Sequence, residues 1–168
     1  MTLEEMGKRL KATEEALKNL EKRVRVTEDI QEIHQLQRRY VNALMCTEWD
    51  DAVDCFSEKA KIDVYLHKPV IGKAAIDRWF KKELSKTHAG KEGDIVIHPI
   101  ISVGGNKAKG KWLLYMMYFY PRTGQSLFWV QGFYDMEYVR ENGKWKISLM
   151  RWSERLGLPG GGPPTGLW

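Results

Sequence analysis

The chain has 168 residues, 43% of them hydrophobic and 29% charged, and a formal net charge of +5. That length suits one hydrophobic core with a modest appendage rather than two full domains, and the composition excludes wholesale disorder and fibrous repeats. No apolar run reaches the roughly 18 to 20 residues of a membrane span, and the opening MTLEEMGKRLKATEEALKNLEKR is too charged for a signal-peptide core, so a cytoplasmic protein with no membrane partner is expected.

The first element is an amphipathic helix over residues 1–26. Leu3, Leu10, Leu17 and Val24 form a heptad column, and Met6, Thr13, Leu20 and Thr27 form its companion. Three heptads with two threonines are marginal alone, so the seam is expected to pack on another subunit, in a dimer or trimer, or on the domain itself. Lys and Arg interleave with Asp and Glu along this stretch, and KRVR at 22–25 is its densest basic cluster. A positive total without a basic patch predicts no nucleic-acid partner.

The hydrophobic phase changes around Thr27 to Asp29, and Ile30, Ile33, Leu36, Tyr40 and Leu44 then follow a core helix. Trp49, Val53 and Phe56 keep helical spacing, with Thr47 as the expected cap; KIDVYL at 61–66 alternates as a strand, and AAIDRWFKKEL after Gly72 reads as another helix. Beyond it the residues become β-branched and aromatic. GGN, PRTG and ENG punctuate strands near 94–103, 108–120, 126–140 and 144–153. Helices followed by an antiparallel meander predict an α+β domain over 27–153. The remainder, 154–168, is a Gly/Pro-rich tail, and Trp168 is read either as a cover for an apolar patch or pocket mouth or as an exposed end. Cys46 and Cys55 are too few for a disulfide framework and are read as reduced thiols.

Four segments carry a family resemblance: EDIQEIHQLQRRYVNAL, EWDDAVDCF, HPIISVGGNKAKGKW and GFYDMEYVRENGKWKI. Together they resemble the SnoaL-like branch of the nuclear transport factor 2-like (NTF2-like) superfamily, which includes the scytalone dehydratases and bile acid 7α-dehydratases. The resemblance implies a cone-shaped, curved antiparallel sheet closed by helices around a pocket. It leaves function open, because the fold hosts dehydratases, isomerases, cyclases, hydrolases and noncatalytic domains.

The residues themselves also ask for a pocket. Alternation puts Trp112, Leu114, Met116 and Tyr118 on one strand face and Leu113, Tyr115, Met117 and Phe119 on the other, and both faces are apolar. The resemblance turns the Trp112 face inward, with Tyr134 and Met136 on the next strand and Tyr65 as a polar companion. These six (Tyr65, Trp112, Met116, Tyr118, Tyr134, Met136) are the expected contacts of a hydrophobic or aromatic small molecule. A filled core built from the same side chains is the competing reading.

Elimination without a cofactor needs a base, a group that assists the leaving group, and a dry pocket. Tyr40 occupies the place of a pocket-facing tyrosine in the dehydratase pattern and is expected to donate a hydrogen bond or proton. Where those dehydratases carry histidine this chain has Asp94, and where they carry aspartate on the following strand it has Met116. The base is therefore sought in Asp94 or His98, which a regular strand would hold about 13 Å apart on one face. Asp63 and Asp135 are possible orienting groups. His88 is the alternative histidine if its loop carries an insertion. No HExxH, paired-cysteine, phosphate-loop or dinucleotide motif is present, so no metal or cofactor is expected. The favoured expectation is a cofactor-independent lyase, a dehydratase or related eliminase acting on a hydroxylated aromatic or polycyclic compound. A noncatalytic binding module and an isomerase are the alternatives.

Overall fold

The computed structural model describes residues 2–64, 68–86, 88, 90, 93–119 and 126–156, apart from the side chains of 118, 119, 126–129 and 156. Helix α1 (Leu3–Met45) is followed by α2 (Trp49–Asp54), strand β1 (Phe56–Val64), β2 (Val70–Ile71), α3 (Lys73–Lys82), a 3₁₀ turn (Leu84–Lys86), and strands β3 (Gly93–Gly104), β4 (Lys107–Phe119), β5 (Ser126–Glu141) and β6 (Lys144–Leu156).

Helix α1 opens with a reciprocal cap. The Thr2 amide donates to Glu5 Oε2 at 2.8 Å and the Glu5 amide donates to Thr2 Oγ1 at 3.2 Å, satisfying donors that a helix start leaves orphaned. The change of phase near residue 28 does not interrupt the helix; it changes what the helix faces. Residues 2–28 are all exposed, whereas Asp29, Ile33, Leu36, Gln37, Tyr40, Val41, Ala43 and Leu44 are buried. At the crossing point Asp29 accepts hydrogen bonds from Arg140 and, at 3.2 Å, from Trp145 Nε1, fastening α1 to β5 and β6.

The helix ends where Thr47 takes φ 58, and Thr47 donates its hydroxyl to Cys46 O at 2.7 Å instead of capping α2, whose cap residue is Glu48. Phe56, expected to continue the helix, instead opens β1 and is fully buried. Its carbonyl neighbour Cys55 accepts from the Ile147 amide at 2.9 Å, so pairing with β6 captures this stretch despite its helical spacing.

The six strands form one sheet in the order β2-β1-β6-β5-β4-β3. The meander β3 to β6 is antiparallel as expected, but β1 lies parallel to β6, so the sheet is mixed rather than wholly antiparallel. The helical crossover and the long meander between β1 and β6 supply the chain that a parallel pair requires. Register shifts interrupt β1/β6, β3/β4 and β5/β6, and irregularities of this kind bend and twist a sheet locally. Trp112, Leu114 and Met116 on β4 and Tyr134, Met136 and Tyr138 on β5 face the buried side beneath α1. No helix among the described residues is long and apolar enough to cross a membrane.

Candidate active site

Between the buried face of the sheet and the helices lies a cavity of about 100 Å³. Tyr40 and Leu44 enter it from α1, Trp79 from α3, and Leu84 and His88 from the segment after α3; Val64, Met116, Tyr134, Met150 and Trp152 supply the sheet side. Each comes to the wall through its element's period: Tyr40 and Leu44 are one helical turn apart, and Met150 and Trp152 are alternate residues of one strand.

Tyr40 is 1% exposed and its ring meets Phe56 and Tyr134 edge-on, with centroids 5.4 and 6.3 Å away. Burial drives its phenol far above the ordinary tyrosine range; a hydrogen bond with Tyr134 pulls it down in part, and the negative charge of Asp94 raises it. The phenol therefore stays protonated at any working pH. Its proton points to Met150 Sδ at 3.0 Å. A thioether is a weak acceptor, so a ligand oxygen can take over that hydrogen bond at small cost.

His88 is buried, with Nδ1 3.2 Å from Leu84 O and its ring edge-on to Trp49. A carbonyl can only accept, so Nδ1 carries the proton, and in the neutral ring Nε2 is the basic nitrogen. The Leu84 carbonyl thus fixes the orientation of the ring.

Asp94 is buried and stands directly opposite Met116 across β3 and β4, so the two positions where the dehydratases carry their histidine and aspartate are cross-strand neighbours here. Its amide donates to Met45 Sδ at 3.1 Å, and its charge is close enough to act on Tyr40. His98 lies outside this cavity. A bulge between Ile97 and Ile100 puts it at φ 51, exposed, on an outer groove of about 500 Å³ between α1 and β3 that it shares with Asp94, Trp112, His34, Arg38 and Pro99. The bulge interrupts the even spacing expected between Asp94 and His98, yet both residues line this groove.

Of the expected contacts, Met116 and Tyr134 line the cavity. Trp112 and Met136 are buried outside its wall. Trp112 Nε1 donates to Tyr138 Oη at 2.9 Å, and Tyr138 donates to Gln37 Oε1 at 3.0 Å, so Trp112 serves a polar relay beneath α1. Tyr65, the side chain of Tyr118, and Trp168 lie outside the described residues. Of the orienting carboxylates considered, Asp63 pairs with Lys61 and Arg151, and Asp135 with Lys111, both half-buried and away from the cavity wall. Trp79, Leu84, Met150 and Trp152 had not been singled out; the strand alternation that carries Met150 and Trp152 to one face was the available signal. Among the described residues no group of three or more His, Cys, Asp or Glu is placed to hold a metal ion.

A model of the SnoaL-like domain matches residues 25–151. Among solved structures, the chain is similar to an NTF2-like protein with a cystatin-like fold from Novosphingobium aromaticivorans (18% identity, 86% of this chain and 94% of that one, TM-score 0.70). It is also similar to a candidate scytalone dehydratase from the same organism (14%, 77% and 86%, TM-score 0.69) and to the hexachlorocyclohexane dehydrochlorinase LinA-type3 from Novosphingobium barchaimii (14%, 77% and 88%, TM-score 0.69). At these identities the likeness is one of fold. No curated protein matches the sequence.

Proposed function

Because this chain belongs to the SnoaL-like family, we propose that it is a cofactor-independent lyase, a dehydratase or related eliminase, working in the cavity beneath α1. The observation that carries the reading is a buried phenol, Tyr40, resting its proton on a thioether in the same cavity as His88. Neighbours of the same fold named for dehydration and dehydrochlorination are consistent with it.

In this reading His88 Nε2 removes a proton from a carbon of the substrate, the electron pair forms the new double bond, and the carbon–oxygen bond on the adjacent carbon breaks. Tyr40 donates a hydrogen bond to the departing oxygen without ionising, since its phenolate is strongly disfavoured. The proton held by His88 then joins the hydroxide, and water leaves. Asp94, beside Tyr40, disfavours the phenolate further. The base expected at Asp94 or His98 is thus assigned to His88, because neither of the other two is on the cavity wall.

The volume narrows the substrate. A cavity of about 100 Å³ is smaller than the ~150 Å³ that accommodates a benzene ring and well below the ~300 Å³ or more usual for larger ligands, so even a single ring needs the wall to yield. We therefore favour a single-ring hydroxylated compound over a polycyclic one. The other partners proposed are further copies of this chain, met through the exposed seam of α1.

The test is mass spectrometry of hydroxylated single-ring compounds incubated with the protein, looking for protein-dependent loss of water. Tyr40→Phe and His88→Gln should each lower turnover by ~10²-fold or more, with His98→Ala near the parent rate. Wild-type turnover in both cavity variants would overturn the assignment. A second reading, a noncatalytic binding module, is favoured by one observation: the positions where the dehydratases carry their histidine and aspartate hold Asp94 and Met116 here. A compound that binds and is recovered unchanged would select it.

A further inference from the structure

The part of α1 that precedes the domain is about 33 Å of helix from Leu3 to Val24, at 1.5 Å per residue, with exposed residues all round. Its apolar residues form one seam: Leu3, Leu10, Leu17 and Leu20 are 85, 61, 55 and 54% exposed, and Met6 and Val24 continue the line. The two threonines in that seam do not spoil it. Thr13 Oγ1 donates to Arg9 O at 2.8 Å and Thr27 Oγ1 to Arg23 O at 3.1 Å, so both hydroxyls are satisfied within the helix and the methyl groups remain for packing.

The spacing three-four-three-four admits one heptad frame, with Leu3, Leu10, Leu17 and Val24 at a and Met6, Thr13, Leu20 and Thr27 at d. In that frame the flanking positions sort by charge. The e positions hold Gly7, Glu14, Glu21 and Glu28; the g positions hold Thr2, Arg9, Ala16 and Arg23. In a parallel, in-register pair each g residue meets the e residue five places later on the other helix, so Arg9 faces Glu14 and Arg23 faces Glu28 of the second copy. In an antiparallel pair g meets g and e meets e, which sets arginine against arginine and glutamate against glutamate.

We infer that the seam of α1 is covered by the same seam of a second copy of this chain, parallel and in register. This rests on the self-association proposed above and adds its direction, which the charges at e and g select. The parallel arrangement brings the amino termini of the copies together and puts their domains at the same end.

The experiment uses the full chain with Cys46→Ser as background. Sedimentation equilibrium should show a concentration-dependent assembly, lost in Leu17→Glu. Met6→Cys should form a disulfide between copies in the assembly, because parallel register places the two d positions side by side. Glu14→Lys with Glu28→Lys should weaken assembly about tenfold or more at low salt, and adding Arg9→Glu with Arg23→Glu should restore it. If Leu17→Glu abolishes assembly but Met6→Cys crosslinks only when mixed with Val24→Cys, the copies are antiparallel and the direction is overturned while association through α1 stands. A monomer at every concentration, or an assembly indifferent to Leu17→Glu, overturns both.

Discussion

Gly132→Ala probes the closest approach between β5 and the cavity wall. A Cβ built on Gly132 would lie 2.5 Å from Ser153 O and 2.8 Å from Trp152 Nε1. Real Cβ atoms essentially never come within 3.0 Å of such neighbours, so about half an ångström of movement is needed on the backbone side alone. That backbone is held in the β5/β6 ladder beside the register shift between Gln131 and Gly132, so the carbonyl cannot retreat without loosening strand pairing. The other neighbour, Trp152, lines the cavity. Overpacking of this kind costs about 1–3 kcal/mol, and with two obstacles of which one is backbone we place this case at about 2–3 kcal/mol. For a chain of this length that lowers Tm by roughly 4–12 °C. Thermal unfolding by circular dichroism is the assay, with tryptophan fluorescence reporting on Trp152. A variant melting within about 1 °C of the parent, with unchanged fluorescence, would refute the close approach.

Three further outcomes are expected. Burial pushes the Cys55 thiol up to about 11, against 9.0 ordinarily, so the folded chain keeps a proton that the unfolded chain sheds. Stability from this group is complete below pH 9 and drains away toward pH 11; urea unfolding should show that decline, and Cys55→Ala should make it shallower. Asp29→Ala removes the acceptor shared by Arg140 and Trp145 Nε1. Since the Arg140 side chain is 23% exposed and keeps Glu32 at 3.5 Å, the cost should be about 2 kcal/mol, below the full penalty of an orphaned buried charge; a urea midpoint unmoved within error would contradict it. Gly7→Ala meets nothing within 4 Å and should stabilise the projecting part of α1 by up to ~1 kcal/mol, read as a rise in helical signal; a fall would show that the glycine has another use.

The strands of the meander were legible because alternation, β-branched content and turn residues agreed on their limits; β3 to β6 begin and end within a few residues of the expected positions. The turn of the Trp112 face toward the core was legible through the family pattern, and Trp112, Leu114 and Met116 are buried. What alternation could not express was pairing between residues far apart in sequence. The parallel union of β1 with β6, and the capture of Phe56 by it, depend on a partner about ninety residues away. The site was harder for two local reasons. The bulge after Ile97 breaks the strand's even spacing at His98, and no periodic signal precedes it. His88 reaches the cavity from an irregular segment, where spacing says nothing about direction.

The unbroken course of α1 has a mechanical consequence. The same 43-residue rod carries the heptad seam at one end and Tyr40 at the other, with Asp29 pinned to Arg140 and Trp145 between them. A helix turns about 100° per residue, so a one-residue slip of the rod through its clamp would swing the phenol right off the cavity wall. The clamp therefore acts as an index pin: it sets the angular phase of the rod once, for the seam outside and the chemistry within. Whatever twists the outer arm delivers its torque to the pin before it can reach the phenol.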